Sequence, residues 1–499
     1  MKKIFIALIG IFISIPSIFA ANYYVSTNGN DANSGATWAL AKKTIQAGVD
    51  LTSNGDAVWV TNGTYVLTNQ ISISKGITVQ GVNGALSTIV NGNYPVTSNR
   101  CFSLSKTNTI LDGFTIINGY ADSGGGVNNY MGIVKNCMIS GNTAFKSGAG
   151  GVCNHGGTIR NCTISGNSAS WFGGGVMNYG GVMMFGFTGT VDNCTISDNS
   201  VYGDEANFYG NGGGVYNFGG VVKNCTITGN TASNPESCYG GGVYNDSGIV
   251  RNCAILGNSA VFGMGGGVYN AAGTIQNCTI LGNTATILGG MYNKYYGTVQ
   301  NCIMYYNWNF DFYGQSPSQG VQYSCSPGLS GNGNIQDDPW FYNPGTGYGA
   351  NYTGGDLRIQ SHSPCINAGY NMDWMTDATD IAGNPRIIGG IVDLGAYESP
   401  YSTPVPVIGP TIKANGAAST LTVNYPAFVS VCVEMSAGAD AGINKDWWVV
   451  ALANSSWYYL NSSTQWQQFD GNFSNCHPVN QGPLFNLCAN NQILRTKEG

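Results

Sequence analysis

The fold of this chain is decided by the stretch Thr158-Ile159-Arg160-Asn161-Cys162-Thr163-Ile164-Ser165, one of seven near-copies between Asn136 and Asn307. Apolar residues take one side of the extended chain (Ile159, Cys162, Ile164) and polar residues take the other (Arg160, Thr163, Ser165). Alternation with a period of two and many β-branched residues is typical of β-strands, and no copy has helical spacing. Each copy therefore predicts two short strands that meet at its asparagine.

Asparagine recurs at three fixed places in every copy. The first column is Asn129, Asn154, Asn178, Asn217, Asn245, Asn270 and Asn293; the second is Asn136, Asn161, Asn193, Asn224, Asn252, Asn277 and Asn301; the third is Asn142, Asn167, Asn199, Asn230, Asn258, Asn283 and Asn307. The step from the second column to the third is six residues in all seven copies. Repeats of 24 to 32 residues with fixed internal steps indicate a solenoid.

These columns predict an all-β parallel β-helix. Asn161 falls where the chain must turn a corner, and Asn tolerates the left-handed backbone of such a corner. Stacked coils place each Asn about 4.8 Å above its counterpart. The amides can then bond along a column and satisfy buried polar atoms.

The composition agrees with an ordered chain that does not bind nucleic acid. Gly contributes 74 of 499 residues and charged residues only 9%, but the strict columns argue against disorder. The net charge is −6 and no basic tail is present. Nucleic acid is therefore not expected as a partner.

Residues 1–20 have the pattern of a secretory signal peptide. Lys2 and Lys3 precede the apolar run Ile4–Ile15, and Ala20 offers a small residue for cleavage. The alternative is an uncleaved membrane anchor, for which the run is rather short. No later segment is apolar for long enough to span a bilayer. We expect a secreted, extracellular or cell-surface protein.

Seven of the 15 cysteines form an inward column: Cys137, Cys162, Cys194, Cys225, Cys253, Cys278 and Cys302. A metal site or a disulfide framework would be indicated by C-x-x-C spacing, which the chain lacks. These seven cysteines are therefore interpreted as small core fillers. Neighbouring cysteines in stacked coils are close enough for a disulfide bond, so an occasional disulfide between coils is an open alternative. Cys476 and Cys488 could also pair near the C-terminus.

The remaining regions divide the chain further. Residues 21–120 predict an N-terminal cap and the first coils, with one short helix within Trp38–Leu51 covering the open end. Residues 121–355 hold the repeat coils, 356–399 a closing segment and 400–410 a Pro-rich linker. Residues 411–499 predict a small β-sandwich-like module whose aromatics either fill its core or stack on sugars.

Two stretches resemble known families. Tyr23-Tyr24-Val25-Ser26, Thr44-Ile45-Gln46-Ala47 and Gly63-Thr64-Tyr65 resemble the start of pectate-lyase-like β-helix proteins, which implies a right-handed β-helix. Ile366-Asn367-Ala368-Gly369, Gly383-Asn384-Pro385-Arg386 and Asp393-Leu394-Gly395-Ala396-Tyr397-Glu398 are similar to the choice-of-anchor Q segment. That resemblance implies a bacterial exported protein and names no reaction.

A charged stripe marks the outward position before the second Asn column. It reads Lys135, Arg160, Asp192, Lys223, Arg251, Gln276 and Gln300. The four bases Lys135, Arg160, Lys223 and Arg251 could bind an anionic glycan. They could equally keep a solenoid soluble.

One coil carries the candidate catalytic acids. Asp192 is the only acid in its column, Asp198 replaces the glycine of other copies, and a long loop holds Asp204 and Glu205. A lyase would need Ca²⁺ held by carboxylates and a base such as Lys223 or Arg160. A hydrolase would need two carboxyls flanking the bond.

The sequence therefore favours a non-catalytic exported protein that binds polysaccharide or a cell-surface glycan, with no resident metal or cofactor. The alternatives are a polysaccharide lyase or hydrolase acting on acidic glycans such as pectate, with Ca²⁺ if it is a lyase, and a structural surface component. Closely spaced carboxylates are missing from every coil, which weighs against catalysis. The glycan, the anchoring route and the oligomeric state stay open.

Overall fold

The computed structural model describes residues 20–181, 186–203, 210–294, 296–314, 320–402 and 404, and the backbone of the strands between 409 and 495. Four sheets of in-register parallel strands wrap one interior, and successive coils pair residue for residue, as Thr158 with Thr190 and Arg160 with Asp192. Each full coil runs through sheets C, A, B and D in turn. The predicted right-handed parallel β-helix is confirmed.

The strands of the four sheets stack in chain order. Sheet A contains Asn22–Val25, Ala57–Val60, Thr78–Gly81, Ile110–Asp112, Ile133–Lys135, Thr158–Arg160, Thr190–Asp192, Val221–Lys223, Ile249–Arg251, Thr274–Gln276, Thr298–Gln300 and Val321–Gln322. Sheet B contains Gly63–Val66, Thr88–Asn91, Thr115–Ile117, Met138–Ser140, Thr163–Ser165, Thr195–Ser197, Thr226–Thr228, Ala254–Leu256, Thr279–Leu281 and Ile303–Tyr305. Sheet C contains Ile71–Ile73, Phe102–Leu104, Val127–Tyr130, Val152–His155, Val176–Tyr179, Val215–Phe218, Val243–Asp246, Val268–Asn270, Met291–Asn293 and Phe312–Gly314. Sheet D contains Tyr120–Ala121, Thr143–Ala144, Ser168–Ala169, Ser200–Tyr202, Thr231–Ser233, Ser259–Ala260 and Thr284–Ala285.

The N-terminal region contains the one short helix that was expected within Trp38–Leu51. Within Trp38–Leu51 the chain forms a 3-10 turn, Trp38–Leu40, and one α-helix, Ile45–Leu51. The Thr44 side chain caps the α-helix by accepting from the Ala47 N–H. Ile45 and Val49 are buried, so the helix covers the open first coil.

The interior is a set of apolar columns, as the alternation predicted. Ile159, Cys162 and Ile164 are at most 2% exposed. All seven cysteines of the predicted column are buried and unbridged, and each thiol contacts a backbone carbonyl, as Cys225 Sγ does that of Lys223 at 3.0 Å. They therefore pack as core fillers.

Two of the three Asn columns are continuous buried ladders. In the first, each Nδ2 donates to the Oδ1 of the next coil at 2.7–2.9 Å, from Asn129 to Asn293. In the third, the same bonds run at 2.9–3.0 Å from Asn142 to Asn307, whose amide donates to the Asp311 carboxylate at 2.9 Å. These side chains satisfy each other and nearby carbonyls in the core.

The second Asn column turns the corner between sheets A and B. All seven residues have φ between 48° and 55°, the left-handed conformation predicted for Asn161. This column is exposed in its first three coils, and Asn224 donates to Asp192 instead of to another Asn. Its main contribution is backbone geometry.

Residues 364–402 fold back over the last coils; they overlap the predicted closing segment 356–399 and are called the closing segment from here on. The segment packs on Ile303 and Leu281, outward residues of sheet B that are buried beneath it. Its own centre is Arg386, which is 0% exposed and donates to the carbonyls of Asp393 and Gly395 at 3.0 and 2.7 Å. The Glu398 carboxylate lies 3.6 Å from that guanidinium.

Shorter elements complete the first compact unit. Gly210–Asn211 pairs with Cys238–Tyr239, and Phe341–Asn343 pairs antiparallel with Asp356–Ile359. Two further 3-10 turns span Gly349–Asn351 and Asp373–Met375. Among the described residues, none of the helices has the length and apolarity needed to cross a membrane.

The second compact unit comprises residues 361–363 and 403–499. Its described strands are all antiparallel: Gly409–Ala414, Phe428–Ser436, Asn444–Trp447, Val450–Ala453, Ser456–Leu460, Trp466–Phe469, Asn480–Pro483, Leu487–Cys488 and Gln492–Arg495. The aromatic side chains that were predicted to fill the core of this module or to stack on sugars lie outside the described part. The same holds for the pairing of Cys476 with Cys488.

Candidate functional site

The predicted basic stripe is a file of side chains on the outward face of sheet A. In-register pairing places in consecutive coils Asp112, Lys135, Arg160, Asp192, Lys223, Arg251, Gln276, Gln300 and Gln322. Neighbours in such a file lie about 4.8 Å apart. The six charged members carry a net charge of +2, on a chain whose net charge is −6.

Each acid of the file is held by two groups from the following coil. Asp112 accepts from Lys135 Nζ at 3.0 Å and Asn136 Nδ2 at 2.8 Å, and Asp192 accepts from Lys223 Nζ at 3.2 Å and Asn224 Nδ2 at 2.8 Å. Asp192 is therefore not the only acid of the file. The sequence reasoning missed Asp112 because it precedes the first regular repeat.

Neither arginine of the file forms an ion pair with another described residue. Arg160 is exposed. Arg251 lies over the ring of Trp374, 4.6 Å from the centroid, and burial lowers its pKa while Asp192 opposes that shift. Arg160 and Arg251 thus carry the positive charge that the acids leave uncompensated.

The closing segment contacts the corner of the later coils beside the file. The corner amides of Asn252 and Asn301 donate to the carbonyls of Thr379 and Tyr370 at 3.0 and 2.9 Å. Trp374, on the same segment, lies beside Arg251. The charged part of the file runs from Asp112, which is buried, to Arg251, whose guanidinium contacts this aromatic side chain.

The candidate catalytic acids do not all come together. Asp198 lies at the next corner with φ 56°, where five other coils place a glycine, and the strand Thr195–Ser197 separates it from Asp192. A strand of that length spans about 10 Å, so these two carboxyls do not face one bond. Asp204 and Glu205 lie outside the described residues, and their part in any site stays a prediction.

Lys223 and Arg160 flank Asp192 on either side in the file. Lys223, the candidate base, forms an ion pair with the Asp192 carboxylate at 3.2 Å. Among the described residues no group of three potential metal ligands is close enough to hold an ion.

One thiol–imidazole pair occurs on sheet C. Cys153 Sγ lies 3.1 Å from His155 Nε2. Burial raises the pKa of the Cys153 thiol to about 11 and lowers the pKa of His155 to about 4. Since the thiolate is the reactive form, this pair is not an activated nucleophile. His155 instead stacks between Tyr130 and Tyr179 at 4.4 and 5.0 Å.

A file of five tyrosines, here the tyrosine stack, covers the later coils of sheet C. Its members are Tyr216, Tyr244, Tyr269, Tyr292 and Tyr313, with ring centroids 5.0–5.7 Å apart and planes within 18° of parallel. The sequence reasoning missed this stack. Its signal in four of the five members was a Tyr between Val or Met and the first-column Asn, whereas Tyr313 lies between Phe312 and Gly314.

Comparisons with known proteins show no family for this chain. No family model matches the chain, and no curated protein matches it. Among solved structures, pectate lyase Pel9A is 13% identical over 77% of this chain and 97% of its own, with a TM-score of 0.42. A rhamnogalacturonan lyase is 12% identical over 74% and 95%, with a TM-score of 0.38. Pectin methylesterase PemA from Erwinia chrysanthemi is 12% identical over 48% and 80%, with a TM-score of 0.29. At these values no activity passes from those proteins to this chain.

Proposed function

We propose that this is an exported protein whose solenoid binds an acidic polysaccharide along the outward face of sheet A without cleaving it. The observation that carries the proposal is the charged file from Asp112 to Arg251, which is net positive on a negatively charged chain. A polymer of uronate residues presents carboxylates at regular intervals. A rigid file of side chains can meet several of them at once.

The charge distribution within the file supports binding more than catalysis. Asp192, the one candidate acid in the file, already accepts from Lys223 and Asn224. The exposed Arg160 is free to form a bidentate contact with a carboxylate. At the end of the file, Trp374 beside Arg251 offers an aromatic surface next to a cation.

Removing a base from the charged file and neutralising an acid in it are expected to change the affinity for polysaccharide in opposite directions. Arg160→Ala should weaken binding of polygalacturonate about tenfold, since it removes an uncompensated charge-assisted contact. Asp192→Asn should strengthen binding about threefold, because it releases Lys223 while the amide still fills the same space. Both affinities should fall as salt concentration rises. Isothermal titration at two salt concentrations measures these changes.

The control is Arg358→Ala, which removes an exposed arginine paired with Asp356 outside sheet A and should leave the affinity unchanged. Polygalacturonate and alginate are also incubated with the protein, with and without Ca²⁺, and assayed for unsaturated or shortened products. Product formation that Asp192→Asn abolishes would replace the binding proposal with a lyase or hydrolase. Equal affinities for the unchanged protein, Arg160→Ala, Asp192→Asn and Arg358→Ala would show that the polysaccharide does not bind along sheet A.

A further inference from the structure

We propose that a groove on sheet C, in the last coils of the solenoid, binds a neutral sugar ring. The groove has a volume of about 510 Å³ and is lined by Met264, Ile287, Leu288, Tyr292, Phe310 and Tyr313. The tyrosines that line it belong to sheet C and the charged file belongs to sheet A, and the groove does not depend on acidic polysaccharide binding. Small-molecule sites commonly have this size and an apolar, aromatic lining.

Among the described residues, the tyrosine stack ends in this groove at Tyr313. Tyr269 and Tyr292 are 7% and 9% exposed, because each ring is covered by its neighbours, whereas Tyr313 is 55% exposed. Tyr313 belongs to Phe312–Gly314, the last strand of sheet C. A flat ring that packs on Tyr313 would continue the spacing of 5.0–5.7 Å already present in the stack. The apolar face of a pyranose ring has the shape to do so.

Other apolar side chains of the groove are also open to solvent. Ile287 and Phe310 are 52% and 66% exposed, and Leu288, which also lines the groove, is buried. Contiguous exposed apolar side chains of this kind mark ligand-binding grooves. A ring bound in the groove would contact Tyr313 and Phe310.

The groove selects an uncharged occupant. Its lining contains no charged side chain. Asp311, next to Phe310 in the sequence, uses its carboxylate within its own coil, where it accepts from the Asn307 backbone N–H at 2.7 Å and side-chain amide at 2.9 Å. Burying a uronate against this surface would cost its hydration without an ionic partner. A neutral sugar carries no such cost, and tyrosine hydroxyls at the edge can bond its own hydroxyls.

The size of the groove favours a sugar over a protein partner. Its lining comes from three consecutive coils, which span only about 10 Å along the solenoid axis. A stable protein interface buries about 800 Å² per partner, far more than three coils of one sheet edge provide. One or two sugar rings match the length.

The test uses the full chain and three neutral probes, cellohexaose, xylohexaose and mannohexaose, in isothermal titration. At least one should bind, and Tyr313→Ala and Phe310→Ala should each weaken it about tenfold. Tyr313→Phe keeps the ring and should retain most of the affinity. The matched control is Tyr130→Ala, an exposed tyrosine at the other end of sheet C that stacks on His155; its affinity should equal that of the unchanged protein.

Several results would overturn the proposal. No binding of any probe at millimolar concentration would do so, as would equal binding by Tyr313→Ala and the unchanged protein. Self-association that Phe310→Ala abolishes, seen by sedimentation, would assign the groove to a second copy of the chain. Arg160→Ala separates the two proposed sites, because it should weaken polygalacturonate binding and leave the neutral probe unaffected.

Discussion

Replacing Asn230 by Ala is expected to lower the free energy of unfolding of the solenoid by about 3–5 kcal/mol. The Asn230 amide donates to the Ile196 and Thr228 carbonyls and to Asn258 Oδ1 at 2.9–3.1 Å. Its own oxygen accepts from the backbone and side-chain nitrogens of Asn199 at 3.0 and 2.9 Å. The substitution removes all five bonds at a site that is 0% exposed, and several buried groups lose a partner.

The measurement is equilibrium unfolding in guanidinium chloride, followed by far-ultraviolet circular dichroism. Asn193→Gly is the matched control, because Asn193 belongs to the same coil as Asn199 but to the exposed corner column. Glycine adopts its φ of 50° without strain, so the change should stay within about 0.5 kcal/mol. Equal effects of the two substitutions would show that the buried ladder does not stabilise the coils.

Arg386→Met is expected to destabilise the closing segment by about 3–5 kcal/mol. It removes the guanidinium that binds the Asp393 and Gly395 carbonyls and faces Glu398, and the buried carboxylates then lack a positive partner. Hydrogen exchange of residues 364–402 reports this loss directly. Arg358→Met, in an exposed pair with Asp356, should leave the exchange of the segment unchanged. Addition of Glu398→Gln to Arg386→Met should restore part of the protection.

The loss of stability of the closing segment in Arg386→Met should also depend on pH. Burial raises the pKa of Asp393 to about 6 and that of Glu398 to about 8. The folded chain therefore binds more protons than the unfolded chain between pH about 4 and about 8, and the stability contributed by these groups is present below pH 4 and lost as pH rises through that window. Arg386 lowers both pKa values, so its removal should enlarge the loss from pH 5 to pH 8. If the loss of stability in Arg386→Met were constant from pH 5 to pH 8, it would contradict the coupling of Arg386 to the titration of Asp393 and Glu398.

The repeats allowed the coil geometry to be predicted because it is local and periodic. The inward alternation of Ile159, Cys162 and Ile164 and the left-handed corner at Asn161 follow from spacing and backbone preference. Which Asn columns are buried did not follow. That depends on whether the amide of each column points into the coil, and all three columns have the same residue type at fixed steps.

Features that join distant parts of the chain could not be predicted from repeats. The Asp112–Lys135 pair was missed because Asp112 stands before the first regular copy. The covering of the last coils did leave a trace, since the outward residues of sheet B change from Ser and Thr to Leu256, Leu281 and Ile303. An outward apolar residue on a solvated strand indicates that something packs on it, but the sequence alone does not say that residues 364–402 do.

The two candidate binding surfaces were also predicted only in part from the sequence. The basic residues of sheet A were predicted as one stripe because they share a position in the repeat. Their pairing with Asp112 and Asp192 required the register between coils. The tyrosine stack was readable as a repeated residue, and its open end at Tyr313 became visible only where sheet C stops.

The most direct test of the central claim is a crystal structure of the full chain with an oligogalacturonate. We expect intact sugar density along the outward face of sheet A, with carboxylates at Arg160 and a ring near Arg251 and Trp374. Sugar bound on another face, or a cleaved oligosaccharide beside Asp192, would contradict the proposal that this solenoid binds acidic polysaccharide along sheet A without cutting it.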